Sequence, residues 1–210
     1  MAQPKIPKHK DEYVAAALEF VDRHGIHGLT MRALGEKMGL DPTAVYRHFS
    51  KKEDLIDAML SSILGDALSR LTDSTGSPRE DMYNTVMAVR TEFEAHPNLT
   101  PSFATSMGNI PNGLQLSQAM IHKLRAIGLT GENLVRSYQM LEGFILGASV
   151  FDTGGAPETF QIRQARYKYI DVPEFDLVAR SPEEVERITR ESFNVGINVL
   201  LDYCEILAKG

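Results

Sequence analysis

The chain has 210 residues, 43% of them hydrophobic and 24% charged, with a formal net charge of −6, as an ordinary globular protein does. It contains no apolar run long enough to span a bilayer, its first twenty residues are too charged for a signal peptide, and the single Cys204 excludes an internal disulfide framework and a cysteine-based zinc site. A cytoplasmic protein with no membrane partner is expected. The charge is uneven: residues 1–52 hold nine Lys/Arg against six Asp/Glu, net +3, and the rest hold thirteen against twenty-two, net −9.

Residues 1–10, with Pro4, Pro7 and three lysines, read as a basic arm. From Asp11, apolar residues recur at helical spacing at Val14, Ala17, Leu18 and Val21, and Gly25 supplies a stop. Thr30 is an N-cap for a second helix that buries Met31, Leu34 and Met38 before Gly39 ends it; Ile26 and Leu29 anchor the connecting turn. Asp41 then caps a third, very short helix with Pro42 at its first position, where the missing N–H costs nothing. Ser50 and Glu53 have the spacing of a capping box for a fourth helix through Leu55, Met59, Leu60 and Ile63. Later helical segments are predicted from Ser77-Pro78 to His96-Pro97, near 98–108, 112–127, 131–153 and 157–169, and from the S-x-x-E of Ser181 and Glu184 to about Ala208. No alternating strand pattern interrupts them, so the class is all-α.

On a helical wheel of roughly 100° per residue, Val45 and Phe49 of the third helix face one way, while Thr43, Ala44 and Arg47 face the other. Tyr46 and His48 lie on the flanks. A short helix joined to its predecessor through Gly39-Leu40-Asp41 is a helix-turn-helix, whose second helix can enter a major groove about 12 Å wide. Arg47 suits guanine O6 and N7, Thr43 a base edge or phosphate, and Ala44 a thymine methyl. Tyr46 and Lys52 sit where flanking phosphates would pass, and Arg32 is placed to touch backbone or an outer base. Helix-turn-helix geometry also occurs in proteins that never touch DNA, and the residues alone leave that alternative open.

The run from Ala15 to Leu60 resembles the DNA-binding domain of TetR-family transcriptional regulators. The resemblance is carried by G-x-x-G-L-T (Gly25, Gly28, Leu29, Thr30), by Arg32 and Leu34, by Met38-Gly39, and above all by V-Y-R-H-F-S-K-K-E-D-L from Val45 to Leu55. It implies DNA contacts at Thr30, Arg32, Thr43, Tyr46, Arg47, His48 and Lys52. Pro42 and Ala44 stand where some members place polar base contacts, so base reading is expected to lean on Thr43 and Arg47. The implied organisation is an N-terminal helix-turn-helix domain, residues 1–52, and a larger helical ligand-binding and dimerisation domain, residues 53–210.

Within the body, the last helix becomes apolar nearly all round from Phe193 to Leu207, which suggests its own core on one face and a partner chain on the other. In the 131–153 segment, Met140, Leu141, Phe144, Ala148 and Phe151 make an apolar stripe, and Tyr138, Glu142, Ile145, Ser149 and Asp152 a semi-polar one. A larger monomeric core is the alternative for both helices; the resemblance implies a homodimer in which they pair across a two-fold axis and a palindromic double-stranded operator is bound. It also implies a small-molecule effector held in the body, whose binding releases the DNA. Five of the nine methionines fall between Met82 and Met140, and Met-rich cores repack around varied apolar guests. Phe93, Phe103, Met107, Tyr138 and Glu142 are the residues expected to hold the effector. Glu142 favours a cationic ligand if it faces the pocket, although it can equally face the dimer partner.

Other motifs carry little. Asp152-Thr153-Gly154 spells the aspartic-protease triplet but ends a predicted helix, and His24 and His27 lack companions for a metal. No phosphate-binding glycine loop and no nucleophile–base pair is present, so neither cofactor nor enzymatic activity is expected. A ligand-responsive repressor is therefore one reading. An all-α small-molecule-binding protein or enzyme with a non-functional helix-turn-helix is the other.

Overall fold

The computed structural model describes residues 9–71, 76–106, 110–151, 157–178 and 180–209. Ten α-helices are found among them: α1 Lys10–Gly28, α2 Met31–Met38, α3 Pro42–Tyr46, α4 Lys52–Ser69, α5 Pro78–Ala95, α6 Pro111–Ile127, α7 Gly131–Phe151, α8 Pro157–Tyr167, α9 Pro173–Val178 and α10 Pro182–Lys209. A 3-10 turn, Thr100–Thr105, lies between α5 and α6. Six of the ten helices begin on proline, whose fixed φ is already helical and whose absent N–H would have lacked a partner there.

The first three helices follow the local signals. Gly25 adopts φ 73°, ψ 163° and interrupts α1 where a stop is expected, leaving one further turn before Leu29. The Thr30 side chain accepts a hydrogen bond from the Ala33 amide at 3.0 Å, capping α2. Gly39 closes that helix at φ 68°, ψ 29°, left-handed backbone that glycine adopts without steric cost. Asp41 Oδ1 then accepts from the Thr43 amide at 2.8 Å and opens α3.

The turn from α2 to α3 is tight. A Cβ on Gly35 would lie 3.2 Å from the Leu40 carbonyl oxygen and 3.2 Å from Pro42 Cα, so α2 and α3 touch backbone to backbone. Val45 and Phe49 are buried with Tyr13, Val14, Ala17, Leu29 and Leu34, and Lys10 Nζ sits 4.8 Å from the centre of the Phe49 ring.

Several expectations need correction. The Ser50–Glu53 capping box does not form: Lys51 is the N-cap of α4 and makes no side-chain cap. Burial of Leu55, Met59, Leu60 and Ile63 sets the register of that helix, and Glu53 and Asp54 satisfy its positive end through charge. The 98–108 helix shrinks to the 3-10 turn, with Pro101 in its first turn. Helix α9 was not expected, being too short for its periodicity to register. Residues 152–153, with the Asp152-Thr153-Gly154 triplet, lie outside the described residues.

The stripe on α7 is also revised. Its buried residues are Leu134, Ser137, Leu141, Ile145 and Ser149, a row that draws on both expected stripes, while Met140, Phe144 and Ala148 of one and Tyr138 and Glu142 of the other are half-buried. The two long helices meet where Phe144 stacks on Phe193 at 5.1 Å, and a Cβ on Gly196 would lie 2.5 Å from the Phe144 ring. Helix α10 buries Val185, Thr189, Phe193, Ile197, Leu201 and Cys204, whereas Val195, Val199 and Ile206 on the opposite side are 64%, 60% and 64% exposed. Gly143 and Gly147 of α7 face open space.

Valine at Gly35 would press its side chain into the backbone of Leu40 and Pro42. Gly35→Val is expected to lower the stability of the N-terminal unit by about 2 kcal/mol, the usual scale of overpacking. Urea unfolding would read this loss; an unchanged midpoint would mean that the α2–α3 contact is loose.

Candidate nucleic-acid interface and ligand cavity

Because Val45 and Phe49 point inward, the other side of α3 is left to solvent. Thr43, Tyr46, Arg47 and His48 are exposed, with Tyr46 at 55%. Thr43, through its hydroxyl and then its amide, holds the Asp41 carboxyl below the usual carboxylate range. Thr30 and Arg32 open α2 and are exposed as well. Arg32 Nε donates to Glu36 Oε1 at 2.8 Å; that hydrogen bond and the Glu36 charge raise its already high pKa.

Two of the expected contact residues also serve the fold. The His48 ring packs 4.6 Å from that of Tyr13, clamping the end of α3 to α1. Lys52 is half-buried, and its Nζ donates to the Ile26 carbonyl at 2.9 Å, which pins the turn after the Gly25 kink. Its remaining two N–H groups are available for an anion.

A cavity of about 40 Å³ lies within the body, lined by Leu64 of α4, Val89 and Phe93 of α5, Phe103 of the 3-10 turn, Gly113, Leu116, Ser117 and Met120 of α6, and Tyr138, Glu142, Ile145 and Leu146 of α7. Phe93, Phe103, Tyr138 and Glu142, which the sequence nominates, thus converge on one space; Met107 lies outside the described residues. The Phe93 and Phe103 rings are tilted, with centroids 6.0 Å apart. Tyr138 Oη is 2.8 Å from both Ser117 Oγ and Glu142 Oε1. A phenol has one proton, so the consistent chain runs from the Ser117 hydroxyl to Tyr138 and from the Tyr138 hydroxyl to the Glu142 carboxylate. Burial raises the Tyr138 pKa, Ser117 opposes this, and Glu142 adds to it, so Tyr138 remains a donor. Ser117 was not nominated; its spacing from Gly113 and Met120 on one face of α6 was the available signal.

Polar ties connect the rim of this cavity to the N-terminal helices. Asn98 Nδ2 donates to the Val21 and Asp22 carbonyls at 3.2 and 3.1 Å, at the end of α1. His96 Nδ1 lies 3.1 Å from the Asp22 carboxylate. Ser106 Oγ donates to Asp57 Oδ1 of α4 at 2.5 Å. Asn112 Nδ2 donates to the Ser61 carbonyl at 2.7 Å, in space left by Gly65, whose Cβ would meet it at 2.5 Å. The 3-10 turn that inserts Phe103 is therefore tied to α1 on one side and α4 on the other. An open cleft of about 1030 Å³ separates α1 from the start of α6 across α4, and these ties supplement the single hydrophobic core that runs from α1 through α4 into the body.

The described residues thus form a helix-turn-helix whose short second helix is exposed on one face, with Arg47 and His48 directly after it, joined to a helical body that holds a small cavity. The sequence profile of bacterial regulatory proteins of the tetR family matches residues 14–59, and that of the tetracyclin repressor-like C-terminal domain matches residues 72–204. The chain belongs to the tetR family of bacterial regulatory proteins. An HTH-type transcriptional regulator of Saccharopolyspora erythraea is 28% identical over 140 residues, 66% of this chain and 58% of that protein. The chain spans little more than half the length of the first curated relatives that it matches. Among solved structures, a possible TetR family regulator from Streptomyces coelicolor A3(2) superposes with a TM-score of 0.80 at 22% identity, over 95% of this chain and 100% of that one. A TetR variant from Acinetobacter baumannii AYE in complex with minocycline shares the fold, with a TM-score of 0.71 at 21% identity, covering 96% and 99% of the two chains.

Asn98→Ala removes both hydrogen bonds to the end of α1. A loss of about 1 kcal/mol is expected, the net worth of exposed to half-buried hydrogen bonds, with faster amide exchange confined to the last turns of α1. Exchange that is unchanged there would show that Asn98 does not hold the joint.

Proposed function

We propose that the protein is a DNA-binding transcriptional repressor, not an enzyme, that grips a palindromic operator as a homodimer and releases it when a small molecule enters the body. Residues 1–52 form the reader and residues 53–210 the sensing and dimerisation body. One observation carries the reading: α3 buries Val45 and Phe49 and leaves Thr43, Tyr46 and Arg47 on a single exposed face. Arg47 and Thr43 read base edges; Tyr46, His48, Thr30 and Lys52 meet phosphates, and Arg32 meets backbone or an outer base.

The dimer reading is supported by the exposed row of Val195, Val199 and Ile206 on α10 beside the open Gly143 and Gly147 of α7. Two α7–α10 pairs brought together would bury these apolar surfaces and hold two readers about 34 Å apart, one turn of duplex. The effector reading is supported by the small cavity on which the nominated residues converge. At about 40 Å³ it is far smaller than the ~300–1,000 Å³ of ordinary ligand sites, so a guest must open it. Displacing Phe103 strains the ties at Asn98 and Ser106, and moving the start of α6 strains that at Asn112. All three lead to the helices that carry the reader.

A gel shift with the DNA upstream of the protein's own gene is expected to show binding at least ~1,000-fold tighter than to random DNA. Arg47→Ala should remove that preference, and Lys52→Ala should weaken binding to all sequences and flatten the salt slope by about one unit. Equal affinity for random DNA, together with an inert Arg47→Ala, would end the repressor reading. For assembly, Val199→Asp with Ile206→Glu is expected to yield a monomer by sedimentation; a persistent dimer would place the interface elsewhere.

A further inference from the structure

The cavity lining is apolar apart from Ser117, Tyr138 and Glu142, and Glu142 is its one charged group. Tyr138 donates to a single carboxylate oxygen, Oε1. Among the described residues, no Lys, Arg or His makes an ion pair with Glu142, although ion pairs are found elsewhere among them, as at Arg70–Glu92 and Arg90–Glu94. Glu142 is half-buried beside Phe93, Phe103, Ile145 and Leu146, and among the described residues no cation pairs with it. The Phe93 ring, which stays in place, attracts positive charge to its face and repels negative charge.

We propose that the effector is a compact organic cation, an amine protonated at neutral pH on an aromatic or branched apolar body, with Glu142 as its counter-ion. The proposal rests on the reading of this cavity as the effector site. The ammonium donates to the second oxygen of Glu142, while Tyr138 continues to hold the first. The apolar body takes the place of Phe103, which rides on the short 3-10 turn and is the wall least fixed by regular helix. An anion of the same shape meets the like charge of Glu142 and is rejected. A neutral analogue retains only the apolar contacts.

Three probes of one shape separate these cases: 2-naphthylmethylamine, 2-naphthylmethanol and 2-naphthoate, titrated calorimetrically into the full-length protein at pH 7. The amine is expected to bind at least about tenfold more tightly than the alcohol, as a charge-assisted hydrogen bond allows, and the naphthoate more weakly than either. Glu142→Gln should bring the amine down to the alcohol and leave alcohol binding unchanged. Tyr138→Phe, which keeps the carboxylate, should preserve the preference for the amine, and it decides the matter if the first variant does not fold. An alcohol that binds as tightly as the amine, or a preference that survives Glu142→Gln or disappears in Tyr138→Phe, overturns the cation assignment. No heat with any of the three overturns the effector site itself, a different result from a flat ranking among probes that bind.

Discussion

A helix of five residues has no stability of its own, because nucleating a helical turn costs more than its few hydrogen bonds return. Helix α3 exists because Val45 and Phe49 are buried against α1 and α2, and because Gly35 lets the backbone of Pro42 approach within contact distance. The same packing decides which side chains remain outside. Thr43, Tyr46 and Arg47 are exposed because the opposite face of a very short helix is fully used for anchoring. The proposed reading face is thus a consequence of the core and depends on it for its geometry.

The body applies a comparable logic in reverse. On helix α7 the half-buried Tyr138 and Glu142 find each other and Ser117, and two glycines are left on its outer side. Half-buried polar groups are stabilised when partnered, and for these three the partnering is local, along one helix and its neighbour α6. That arrangement leaves a small space whose walls come from four helices and one 3-10 turn. The turn is bonded through its flanks to α1 and α4, so the cavity wall is joined to the N-terminal unit by hydrogen bonds as well as by the core they share.

Much of this was legible in the residues. Thr30, Gly39 and Asp41 act where local chemistry places them, because caps and left-handed glycines depend on few neighbours. The Ser77 and Ser181 helix starts hold for the same reason, their side chains accepting from the Glu80 and Glu184 amides. Where a local signal competed with burial, burial prevailed: Ser50 and Glu53 have the spacing of a capping box, but the register of Leu55 and Met59 moves the start of α4 onward. On α7 the most apolar stripe was not the most buried one, since a terminal pair of long helices has two faces to cover and periodicity cannot say which neighbour takes which.

The sequence by itself determined the all-α class, the short third helix and the identity of its exposed residues, all of which follow from interactions spanning a few positions. It also nominated Phe93, Phe103, Tyr138 and Glu142 by residue type, without a reason for them to meet. Only the tertiary structure brought those four to one cavity with Ser117, settled that Glu142 faces it, and tied its rim to α1 through Asn98 and to α4 through Ser106 and Asn112. Those contacts join residues far apart in the chain, and no pattern of local spacing encodes them.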